Sequence, residues 1–188
     1  MAHITKNGEY QLLLDEIATE FDDFKIIKKS DSKLMKVINV LLRVITFNQI
    51  KTFMTSFTTT LGNVIYVPTK WEGSSLTARW LILNHERVHM QQAKKYGRFL
   101  FSVLYLLVLP GLFAFYRTKF EKEAYEASLR CQLYIYGPES LTNEHNKKHM
   151  VDHFTTHQYF WMWINRSSIE QWYDETVNKI LEYEGYEI

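Results

Sequence analysis

The sequence predicts a predominantly helical α+β fold, and three observations carry that expectation. Several segments repeat apolar residues at helical spacing, one short β-branched and aromatic region is punctuated by a glycine, and a long uncharged stretch is broken by Pro110-Gly111. At 188 residues with no Pro/Gly/Ser-rich linker, a single domain over 1–188 is expected. The formal charge of +1 has its signs interspersed, which leaves no broad basic surface for nucleic acid. A lone cysteine, Cys131, excludes an internal disulfide and favours a reducing compartment. The N-terminal Met1–Glu9 lacks the apolar core of a signal peptide, so a cytoplasmic protein is expected.

In chain order, residues 9–20 and 31–46 read as helices, the second with Leu34, Val37, Ile38, Leu41, Leu42 and Ile45 as its apolar set, for which core packing is the expectation. The runs Phe53–Thr60 and Val64–Val67, joined by Leu61-Gly62-Asn63 and ended by Pro68, predict a β-hairpin. A helix of about twenty residues follows, free of Gly and Pro from Ala78 to Lys95 and stopped by Gly97.

That helix contains His85-Glu86-Arg87-Val88-His89, an HExxH pentapeptide. Four residues apart on one helical face, the two imidazoles reach a single Zn²⁺, and Glu86 stands beside the water such an ion would activate. Gln92 lies near the same side and is a candidate support for the site; a surface amide is the alternative. A catalytic zinc needs one more protein ligand, and the carboxylate-rich stretch Phe120–Ser128 offers Glu121, Glu123 and Glu126.

Over residues 60 to 128 the chain resembles the gluzincin metallopeptidases, in which HExxH is followed by a downstream E-x-x-A-D helix. Glu121-Lys122-Glu123-Ala124-Tyr125 matches that second motif in frame except at its end. The resemblance implies His85, His89 and Glu121 as ligands of one Zn²⁺ per chain, Glu86 as general base, and a peptide or protein as substrate. Glu123 is the rival ligand, since a helix turns it about 200° from Glu121. Tyr125 replaces the Asp that in the family accepts a hydrogen bond from a zinc-bound His. The resemblance also implies a strand before the zinc helix that pairs with extended peptide, and Asn63–Val67 is similarly placed. A later His or Tyr commonly steadies the oxyanion in this family, which nominates His157 and Tyr159. No third His follows His89 at metzincin spacing.

Between the ligand motifs, Phe99–Tyr116 carries no charge. As one straight helix it would be about 27 Å long, the thickness of a bilayer core, but a single crossing would strand His89 and Glu121 on opposite sides. Pro110-Gly111 predicts that the stretch doubles back as a helical hairpin, buried, interfacial or re-entrant. Lys94, Lys95, Arg98, Arg117, Lys119 and Lys122 flank both ends, which favours both on one side. Further on, His145, His149, His153 and His157 form an i, i+4 ladder, a second metal-binding or protonation candidate against the alternative of a solvated face. Tyr159-Phe160-Trp161-Met162-Trp163 is expected to close the core more than to line a pocket. The competing expectations for the whole chain are a catalytically inactive zinc-binding domain and a membrane-associated interaction domain.

Overall fold

A computed structural model describes residues 7–45, 47–48, 51–106, 112–156 and 165–186. It is mostly helical with one small sheet, and it contains two compact units, Ile4–Ser102 and Val103–Ile188.

The first unit contains helix α1 (Asn7–Glu20), strand β1 (Lys25–Lys28), helix α2 (Lys33–Ile45), strands β2 (Thr59–Leu61) and β3 (Val64–Val67), helix α3 (Leu76–Tyr96) and the start of helix α4 (Arg98–Leu106). Leu13, Ile17 and Phe21, each four residues after the last, meet Ile65 and Val67 from the sheet and Leu83 and Met90 from α3. Each such fully buried side chain contributes about 1.5–3 kcal/mol. Polar contacts fasten the other side of α3 to α1: Arg87 pairs with Glu16 at 2.8 Å and Glu20 at 2.7 Å, and Gln91 donates to Glu20. Burial pushes the Glu20 carboxyl upward, but hydrogen bonds from Gln91 and Arg87 bring it below its usual value.

The sheet order is β1-β3-β2, with β1 parallel and β2 antiparallel to β3. The hairpin is present, but it is shorter than the sequence suggests. Its turn is Gly62-Asn63, with Gly62 at φ +60°, and residues 53–56 form a turn around Thr52, whose carbonyl accepts from the amides of Thr55 and Ser56. Asn63–Val67 also cannot receive a peptide by backbone pairing, because β3 is central and paired on both sides. The short β1, Lys-Ile-Ile-Lys, occupies the edge that the sequence left open.

Core packing of the whole apolar set of α2 is corrected too. Met35 is buried and Ile38 and Leu42 are half-buried, whereas Leu34, Val37 and Leu41 lie on the exposed side.

The second unit continues α4 and adds α5 (Leu112–Tyr136), α6 (Glu139–Thr142), α7 (Glu144–Thr155) and α8 (Arg166–Tyr183). The Tyr105 hydroxyl donates to Glu121, and the Arg117 guanidinium lies 5.3 Å from the centre of the Tyr105 ring. One residue of α4 thus touches two successive turns of α5; the turn expected at Pro110-Gly111 lies outside the described residues. No helix among the described residues is long and apolar enough to cross a membrane. Leu129, Leu133, Phe154, Ile169, Val177 and Ile180 build an apolar core from α5, α7 and α8. The Tyr173 hydroxyl enters this core but donates to the Leu141 carbonyl at 2.7 Å. Burial, with Asp174 and Glu144 nearby, pushes that phenol up to about 12. Asn143 and Asn165 cap α7 and α8 by accepting from backbone amides of their first turns.

Candidate metal centre

Helix α3 places the HExxH motif by ordinary helical rules. Ser75 caps it by accepting from the Ala78 amide at 3.1 Å, and Gly97, at φ +87°, ends it in a conformation that favours glycine. Leu83, Glu86, Met90 and Ala93 follow one another at spacings of three and four, so the buried stripe that seats the helix includes the motif's carboxylate.

His85 and His89 face each other, with their Nε2 atoms 3.2 Å apart. Zinc–nitrogen bonds of 2.0–2.1 Å at a tetrahedral angle separate two ligand nitrogens by about 3.3 Å, so the pair has the spacing of one edge of such a site. The Nδ1 atom of buried His89 lies 2.9 Å from the Gln92 Oε1. With Nδ1–H donating to that carbonyl, the Nε2 lone pair of His89 is left for a cation. Gln92 is 3% exposed, which settles its role: it holds the ring and is no surface amide. Phe101, at the start of α4, packs its ring 6.1 Å from His89.

Glu86 is 7% exposed and accepts a 2.6 Å hydrogen bond from the hydroxyl of Thr60, in the edge strand β2. Lys29, fully buried at 0%, is close enough to feel the charge of that carboxylate. Its ammonium donates to the Phe53 carbonyl at 2.9 Å and lies 3.5 Å from the centre of the Phe53 ring. Burial pushes Lys29 down to about 7, against the opposing pull of Glu86.

Glu121 sits on α5 in the second unit, 6% exposed, with the Tyr105 hydroxyl on its Oε1. Glu123 is on the exposed side and Glu126 pairs with Arg130 at 3.0 Å, which leaves Glu121 as the buried carboxylate of the three. Tyr125 stands where the gluzincin pattern has an Asp. Its ring packs 5.2 Å from Phe154 and 5.8 Å from His153, against the apolar core of the second unit. No family model matches the chain, and neither a curated protein nor a solved structure matches it.

His157, Tyr159 and the aromatic run to Trp163 lie outside the described residues. The rest of the histidine ladder runs along α7: His145 and His149 are exposed, and the His149 and His153 rings are 4.5 Å apart. Together they form no three-ligand group with other His, Cys, Asp or Glu among the described residues. Cys131 is pushed up to about 11 by burial, which removes it as a nucleophile near neutral pH.

Sequence reasoning missed Lys29, Thr60 and Tyr105. Lys29 lies in a polar stretch 57 positions before Glu86, and Thr60 is one of three consecutive threonines. Tyr105 is masked by the uncharged run around it.

Proposed function

We propose that the chain is a zinc-dependent metallopeptidase in which His85, His89 and Glu121 hold one Zn²⁺ and Glu86 is the general base. The observation that carries this reading is the pair of Nε2 atoms at 3.2 Å, one ring fixed by Gln92, beside a buried carboxylate whose neighbours are a hydroxyl and an ammonium. Two neutral rings sharing an N–H···N bond would use the same spacing; the presence of Glu86 and Glu121 favours the metal. Each of the three ligand residues offers one atom to such an ion.

Bound there, zinc supplies a water of lowered pKa and polarises the scissile carbonyl. The residues of the chain do the remaining work. Glu86 takes the proton of the attacking water on the oxygen that Thr60 does not occupy, then delivers it to the leaving amine. Thr60 fixes the carboxylate's direction, and the buried Lys29 lies near enough to sense its charge. Tyr105 orients Glu121 as Gln92 orients His89. A peptide substrate is favoured by the outer side of β2, which pairs with no strand among the described residues and where an extended segment can add a strand next to the residue that holds Glu86.

Glu86→Gln tests the reading. The variant is expected to keep its zinc and lose hydrolysis of an unstructured protein such as casein by about 10²–10⁴-fold. Full hydrolysis by Glu86→Gln refutes the assignment of the base.

A further inference from the structure

We propose that the outward face of α2 is a docking surface for an anionic lipid membrane. Among the described side chains of α2 Met35 alone is fully buried, while Leu34, Val37, Val40, Leu41 and Val44 are between 50% and 69% exposed. At 100° per residue these five fall in one arc on the side opposite Met35, so the unburied side of the helix is itself largely apolar. Phe47, just past the helix end, is 90% exposed. Exposed aliphatic residues in such a row are more than the scattered apolar positions of an ordinary surface.

Charge decides among possible occupants. From Ser32 to Trp71 the chain carries Lys33, Lys36, Arg43, Lys51 and Lys70 and no Asp or Glu, although the whole protein is nearly neutral. Lys36 and Arg43 are exposed along one border of the apolar arc, and Lys33 is exposed just inside that border. A second copy would bring the same positive charges against these, whereas anionic headgroups complement them while the aliphatic row enters the acyl boundary. The pattern is that of a helix lying in the membrane plane, and it needs no spanning segment. It rests on no metal chemistry.

Flotation with vesicles of phosphatidylcholine alone, and with about 30% phosphatidylglycerol, tests the proposal. The parent is expected to bind the anionic vesicles at least about tenfold more tightly than the neutral ones, and to release as salt screens the headgroups. Val37→Glu with Leu41→Glu, at exposed positions that leave folding intact, is expected to weaken binding about tenfold or more. Lys33→Gln, Lys36→Gln and Arg43→Gln are each expected to weaken it roughly fivefold. Absence of flotation, equal binding to both vesicles, or binding indifferent to the α2 variants would overturn the proposal. A dimer in solution that Leu41→Glu dissolves would overturn it as well, in favour of a second copy.

Discussion

The two units bury different things. Inside the first, Lys29, Thr60, Glu86, His89 and Gln92 are withdrawn from water among apolar neighbours. The core of the second, around Leu129, Phe154, Ile169 and Ile180, is almost wholly apolar, and its buried polar residues among those described are Thr118, Glu121 and Thr176. Burying polar and charged groups costs free energy unless each finds partners, and burial drives a lysine toward neutrality. A core built that way is a poor route to stability and a good route to chemistry. The first unit buries polar groups at a cost in stability, as the proposed site would require, while the second is organised for packing and has one buried carboxylate, Glu121.

Substitutions can break this contrast. The largest effect on folding is expected in the second unit: Phe154→Ala leaves a cavity and should cost about 3–5 kcal/mol by chemical denaturation. A loss below about 1 kcal/mol would mean that this core is not the source of stability.

The opposite sign is expected for Lys29→Met in metal-free protein. Because the folded pKa of Lys29 lies below its unfolded value, the folded state resists protonation; the cost is fully present below pH 7 and fades as pH rises toward 10.5. Below pH 7 the variant should therefore be more stable than the parent, on the order of 2–4 kcal/mol after the lost bond to Phe53 is deducted. The advantage should shrink steadily between pH 7 and 10.5. A variant that is less stable at every pH would show that Lys29 is favourably paired and not strained.

Gln92→Leu sharpens the comparison with a smaller effect. It keeps the bulk beside His89 but removes the acceptor for Nδ1–H, so zinc should bind about 10–100-fold more weakly in a competition titration with a chelator, with little change in folding. Unchanged affinity would place Gln92 among packing residues only.

How much of this was legible in the sequence depended on range. The HExxH helix was, because its cap, its stop at Gly97 and the spacing of His85 and His89 are all local. The choice of Glu121 over Glu123 came with the family resemblance; that Glu121 is buried and Glu123 exposed was not legible from their spacing. What surrounds Glu86 was not legible: Thr60 and Lys29 reach it across 26 and 57 positions, and nothing in a threonine run or a polar stretch marks one member as buried. Amphipathic spacing also reveals an apolar face without revealing its direction, which is why α2 reads as a core helix yet turns Leu41 and Val44 to solvent. A four-residue strand such as β1 owes its existence to pairing with β3, more than to its own composition.

The central claim is a three-ligand zinc centre, and elemental mass spectrometry of protein purified without added metal tests it most directly. The parent should carry one zinc per chain, and His89→Ala and Glu121→Ala should each lose most of it. A parent without zinc, or zinc content indifferent to both substitutions, would contradict the account.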